Sequence, residues 1–214
     1  EALSRIHNRV QGLVSMAGCS GGEKSEGEGG GEAAEGGSGI AESITYAQSA
    51  DPRALDPAFF DDGESAKVAA NIFEGLYRFG DTDTTVVPCL ATELPEISED
   101  GLEYTIKLRE GVKFHDGTDF NAAAVVTSIE RQLEPNRTSD MPYASFVFGE
   151  EAAGTGVASL EAVDDYTVKI TLRAANTAFE KNLAMALAAP IVCPTCLEAA
   201  GGNVGEDPTG AGTG

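Results

Sequence analysis

Between Leu102 and Leu108 the chain alternates without a break: Leu102, Tyr104, Ile106 and Leu108 fall on one side, Glu103, Thr105 and Lys107 on the other. A period of two is that of a half-buried strand. Asp100-Gly101 and Glu110-Gly111 bracket it as turn pairs. Alternation returns at 160–163 and 167–172, and Asp164-Asp165 between them predicts a β-hairpin. Ser43-Ile44-Thr45-Tyr46-Ala47 predicts a first strand with Ile44 and Tyr46 on one face. Elsewhere the apolar spacing is helical. Val68, Ile72, Phe73 and Leu76 predict an amphipathic helix over 65–76, with Gly75 near its end. Asn121 is placed to cap a helix carrying Val125, Val126, Ile129 and Leu133, and Pro135 closes it. Phe179, Leu183 and Leu187 predict a third helix ending before Pro190. Pro52 and Pro57 make 51–57 a rigid loop. Strands and helices mixed without a strict βαβ rhythm place the chain in the α/β or α+β class. No internal repeat is seen.

Composition narrows the function. The 214 residues carry 14 basic and 35 acidic side chains, a formal net charge of −21. Such a chain repels phosphate backbones, which argues against nucleic-acid binding; the excess could favour cationic solutes or be a solvated acidic surface, the commoner reading of charge runs. No apolar run approaches the roughly 18 residues of a membrane helix.

The amino-terminal stretch reads as an address and a tether. Arg5, His7 and Arg9 precede the apolar segment 10–18, and Cys19 follows Ala17-Gly18. Basic region, apolar region and small residues are the layout of a secretory signal, and a cysteine at that point is similar to the lipidated cysteine of bacterial lipoproteins. Segment 20–39 is nearly all Gly, Glu, Ser and Ala. With nothing apolar to offset an ordering cost of about 1–2 kcal/mol per residue, it is expected to be a disordered, self-repelling linker.

Four stretches together resemble the extracellular solute-binding proteins of family 5, the peptide, dipeptide and nickel binders of ABC importers. They are Leu55-Asp56-Pro57, Asn71-Ile72-Phe73-Glu74-Gly75-Leu76, the long run from Leu90-Ala91-Thr92-Glu93 to Phe114-His115-Asp116-Gly117, and Val163-Asp164-Asp165-Tyr166-Thr167-Val168-Lys169-Ile170-Thr171-Leu172. The resemblance covers 44–214 and implies an α/β fold of the periplasmic-binding-protein-like, two-lobed class II type. Only the first lobe and its inserted subdomain are expected here. The implied order is a signal segment 1–19 ending at the lipidated Cys19, a linker 20–39, the start of the first lobe 40–74, an inserted subdomain 75–190 and a return to the first lobe 191–214. The end of the chain, Asp207 to Gly214, resembles the family's Pro-x-Gly-x-Gly turn, which normally lies mid-chain, so the sequence reads as truncated.

The function so implied is capture of di- or oligopeptides outside the membrane and delivery to a permease and its ATPase subunits. The binder is expected to be a lipid-anchored monomer on the periplasmic or cell-surface side, not an enzyme, with no cofactor or metal. The alternatives are a nickel or other non-peptide binder of the same fold and a surface signalling lipoprotein.

The resemblance brings the loop Asp61-Asp62-Gly63-Glu64 to the ligand, with Asp61 at the acidic position. Its three carboxylates could hold a peptide's amino group or a basic side chain. They could equally be an acidic cap on the helix that follows. His115 reads as a turn residue after a strand. Cys193-Pro194-Thr195-Cys196 has the spacing of a redox pair or half a metal site, but with Cys89 the only other cysteine beyond Cys19 a four-cysteine zinc site is out of reach. A local disulfide or plain thiols is the expectation. Gly210-x-Gly212-x-Gly214 lacks the Lys-Ser/Thr of a phosphate loop, and no Gly-x-Ser-x-Gly elbow occurs.

Overall fold

The unbroken alternation at 102–108 becomes an inner strand of a four-stranded antiparallel sheet in the computed structural model, which describes residues 47–133, 135–137 and 140–214. The sheet comprises β3 (Glu96–Ile97), β4 (Glu103–Lys107), β5 (Val157–Asp164) and β6 (Thr167–Leu172), in the order β3-β4-β6-β5. Tyr104 pairs with Ile170 and Ile106 with Val168. That register puts Tyr104, Ile106, Leu108, Val168, Ile170 and Leu172 on one buried face. Burying each such side chain contributes about 1.5–3 kcal/mol, so a one-residue slip, which would turn all of them outward, is excluded. The solvent face carries charge: Lys169 pairs with Glu103 at 2.7 Å. The predicted hairpin is present as β5 and β6, joined at Asp165-Tyr166.

Two further strands, β1 (Tyr77–Phe79) and β2 (Val86–Pro88), pair separately. Their short length left no readable period in the sequence.

Helix α1 (Gly63–Ala69) is shorter than the predicted 65–76. Past Ala70 the chain turns and extends, because the backbone of 74–76 is used in pairing: Ile191 N donates to Glu74 O at 2.9 Å, Leu90 N to Gly75 O at 3.1 Å and Cys89 N to Leu76 O at 3.0 Å. Gly75 is thus a bridge residue opposite Pro190 rather than a helix stop.

Helix α2 (Ala122–Glu130) starts as read, with Asn121 Oδ1 accepting from Ala124 N at 3.0 Å. It stops before Leu133 and Pro135. Ser128 on the helix and Gln132 just past its end fasten it to the segment beside it: Ser128 Oγ donates to Val192 O and accepts from Val192 N, and Gln132 Nε2 donates to Ala188 O.

Helix α3 (Ala144–Phe148) was not expected. It ends at Gly149, φ 76°, which lies against Gly156, φ 82°. A Cβ on either would overlap the other's backbone.

Helix α4 (Phe179–Asn182) is a single turn. The predicted continuation to Leu187 fails because the chain leaves the helix to reach Ala188, φ 62°, whose N–H donates to Pro57 O at 2.9 Å. Helix α5 (Pro194–Ala199) follows.

Gln48–Gly214 form one compact unit with a main core and a small second cluster of Ala58, Met141 and Ala144. No helix among the described residues is long and apolar enough to cross a membrane. The predicted strand at 43–47 lies, except for Ala47, outside the described residues, as do the signal segment with Cys19 and the linker 20–39.

Candidate ligand-binding site

The loop from Asp51 to Ser65 is held at its base by Asp56, which is completely buried. Its carboxylate takes two hydrogen bonds from Arg131, at 2.9 and 2.7 Å, and the N–H groups of Ala58 and Val204 at 3.0 and 3.1 Å. The loop is closed at its far end by Ser65. Its hydroxyl donates to Asp62 Oδ2 at 2.7 Å and accepts from Arg53 N at 2.8 Å.

Within this frame the three predicted carboxylates part company. Asp62 is the N-cap of α1, accepting from Ser65 N at 2.9 Å. The hydrogen bonds from Ser65 hold its carboxyl below the usual carboxylate range. A depressed folded-state pKa means the cap is intact at neutral pH and lost as acid protonates it. Glu64 turns to Lys67 at 2.6 Å. Asp61 is left facing outward, paired with Arg53 at 3.0 Å, the two side chains 49% and 72% exposed. Gly63 opens the helix, and a Cβ on it would meet nothing within 4 Å. Asp61 is therefore the acidic group of the four-residue loop whose partner side chain is the most exposed. Such a pair contributes about 0–1 kcal/mol, so Asp61 can exchange Arg53 for a ligand's cation at small cost.

The other sequence candidates lie elsewhere. His115 is an exposed turn residue, its Nε2 2.8 Å from Gly214 O and its N–H donating to Gly212 O. Gly210 O accepts from Asp116 N, which makes 207–214 a turn docked on the 113–119 loop. Gly212 passes so close to Ile72 O that no side chain fits. Cys89 is buried, its thiol pushed up to about 12 by burial and by Glu74, whose Oε1 accepts from it at 3.4 Å.

Cys193 and Cys196 are free thiols, with Cys193 at the N-cap of α5. The structure brings Asp116 to them from 77 residues away, its Oδ2 3.2 Å from Cys193 Sγ. In the sequence Asp116 stood only within the family-like run, with no role of its own. Only its position two residues after Phe114, in a turn docked on Gly210, brings it there, and no spacing rule encodes that.

A family model described as "Bacterial extracellular solute-binding proteins, family 5 Middle" matches residues 85–213. Glutathione-binding protein GsiB of Pectobacterium atrosepticum is 41% identical over 158 residues, which is 74% of this chain and 28% of that protein. The Escherichia coli protein of the same name is 37% identical over 172 residues, 80% of this chain and 31% of that one. The chain thus spans about a third or less of these relatives. Among solved structures, DppA of Helicobacter pylori in complex with the peptide STSA superposes with a TM-score of 0.66 at 33% identity, over 77% of this chain and 34% of that one. OppA of Listeria monocytogenes bound to peptide gives a TM-score of 0.66 at 27% identity, over 78% of this chain and 34% of that one.

Proposed function

The chain belongs to the bacterial extracellular solute-binding proteins of family 5, and from that premise we propose that it is the first-lobe part of a receptor that captures peptides outside the membrane and hands them to an ABC permease. The mixed α/β fold is that of part of a two-lobed, class II binding protein. What carries the peptide reading is that proteins matched over the same stretch are described with peptides: glutathione, itself a tripeptide, for GsiB, STSA for DppA and a bound peptide for OppA. The role is binding rather than catalysis.

In this reading Asp61 receives a cationic group of the solute, displacing Arg53, while Asp62 and Glu64 keep α1 and the loop in shape. Backbone groups supply the rest of the recognition, as in strand addition to an extended peptide, and hinge closure of two lobes excludes water around it. In the complete receptor, Asp61→Asn is expected to weaken peptides with a free amino terminus or a basic side chain by about 1.5–3 kcal/mol, roughly 10- to 150-fold. Acetylated peptides without basic side chains should not change. Calorimetric titration of both sets decides; equal losses, or none, would leave Asp61 without a ligand role.

Cys19 is the proposed lipid anchor, with 20–39 as a leash that raises the receptor's effective concentration at its permease. Localisation on the outer side of the cytoplasmic membrane follows from it. A bacterial host expressing the chain with its native leader should incorporate labelled palmitate. Cys19→Ser should abolish the label, and label persisting in that variant would refute the assignment.

A further inference from the structure

Three donors converge beside α5. The Oδ2 atom of Asp116 lies 3.2 Å from Cys193 Sγ and 3.6 Å from Cys196 Sγ. One ligand atom from each of the three residues falls within 4.8 Å of the others. These are the edge lengths of a coordination shell with metal–sulfur bonds near 2.3 Å and metal–oxygen bonds of about 2.0–2.2 Å. The geometry points to a binding site for one thiophilic divalent cation of the zinc class, made by Asp116, Cys193 and Cys196 with a fourth position open to water or an added ligand.

The surroundings have the shape of a support for such a centre. The other oxygen of Asp116 is held by Thr118, which donates to it from its N–H at 2.9 Å and its hydroxyl at 2.6 Å. That bonding fixes the carboxylate and leaves Oδ2 beside the thiols, where it also accepts from the Thr195 hydroxyl at 2.8 Å. Cys196 N donates to Cys193 Sγ at 3.2 Å. Donors of this kind steady a thiolate in the outer shell of a metal centre. Gly210 closes the site from the third side. A Cβ there would stand 3.3 Å from Cys196 Sγ and 3.4 Å from Asp116 Cβ. Cys193 is fully buried, Cys196 half-buried and Asp116 exposed, so the centre has a dry floor and an open mouth.

Entry of a divalent cation displaces one proton from each thiol. Three negative ligands then meet two positive charges, so the net charge of the site is unchanged. Two sulfurs select against magnesium and calcium, which take oxygen. The cation would join three stretches that are remote in sequence: the 113–119 turn, the 193–196 corner and, through Cys193 N–H to Ala211 O, the 207–214 turn.

The test uses the full chain, reduced, in a Cys19→Ser background. Zinc titrated against a chromophoric chelator should bind one per chain and release two protons. Cobalt(II) should give a thiolate-to-metal charge-transfer band. Cys193→Ser and Cys196→Ser should each abolish the band, and Cys89→Ala should leave it. Asp116→Asn should weaken zinc by at least the roughly 10- to 100-fold that loss of even an outer-shell partner costs. Since Asp116 is exposed, that variant remains informative if a buried cysteine variant fails to fold. The proposal is overturned if no band appears, if it survives Cys193→Ser, if Asp116→Asn binds zinc as tightly as its parent, or if calcium competes equally. It is also overturned if a Cys193–Cys196 disulfide forms in air as fast with zinc as without, since bound thiolates resist oxidation. The outcome is independent of which solute the receptor carries.

Discussion

Asp56→Ala is expected to cost about 3–5 kcal/mol of folding stability, the range for removing one partner of a buried ion pair. Asp56 is 0% exposed and Arg131 only 12%. The substitution strands three donors at once. The guanidinium keeps only Gly202 O at 3.2 Å, and the N–H groups of Ala58 and Val204 lose their acceptor. The carboxylate joins three stretches: the loop that carries Asp61, the end of α2 and the 203–204 segment. Against a total stability of about 5–15 kcal/mol, the loss would be visible as a large fall in the urea midpoint at an unchanged slope. Asp56→Leu with Arg131→Met should recover part of it, because the charge is then no longer buried alone. A loss below about 1 kcal/mol for Asp56→Ala would mean that water reaches Arg131 and that the base of the loop is looser than its geometry implies.

The second large effect is on binding. The 214-residue chain alone is expected to hold peptides no tighter than about millimolar, near −4 kcal/mol. Asp61 stands on the outside of a single compact unit, with its side chain 49% exposed. A solute there meets one wall, and clefts that bind tightly bury most of the ligand's surface. The matched stretch makes up only 28% of one relative and 34% of another, so those proteins are more than twice the length of this chain. Incubation with a mixture of di- to pentapeptides, followed by mass spectrometry of what stays bound, measures this. Micromolar retention of any peptide would show that one wall suffices.

The elements that could be read in advance share a property: their signal is local. The period-two pattern of 102–108 appears as β4 with Tyr104, Ile106 and Leu108 buried, and Asn121 caps α2 as its position before an apolar run suggested. Their extents were less legible. Helix α1 and α4 both end early, because backbone groups at Glu74 and Ala188 are claimed by segments more than a hundred residues away, Ile191 in the first case and Pro57 in the second. Helical periodicity records which side chains are apolar and carries no information on which carbonyls a distant strand will take.

The candidate sites divide the same way. Asp61, Asp62 and Glu64 were legible as an acidic loop before a helix, since capping depends on near neighbours. Which of them faces outward depended on Arg53 and Ser65 and was left open. The Cys193-x-x-Cys196 spacing was plain, while the carboxylate that completes the trio was not. Asp116 reaches it only because the 207–214 turn docks on the 113–119 loop through Gly210 and Gly212. Class, the buried face of the main strand and the Asn121 cap were legible in the chain alone, because these follow from side-chain period and short-range hydrogen bonding. Where helices stop, which acid is buried with Arg131 and what meets the two thiols were decided by tertiary structure, because each depends on partners that only the closed chain brings within reach.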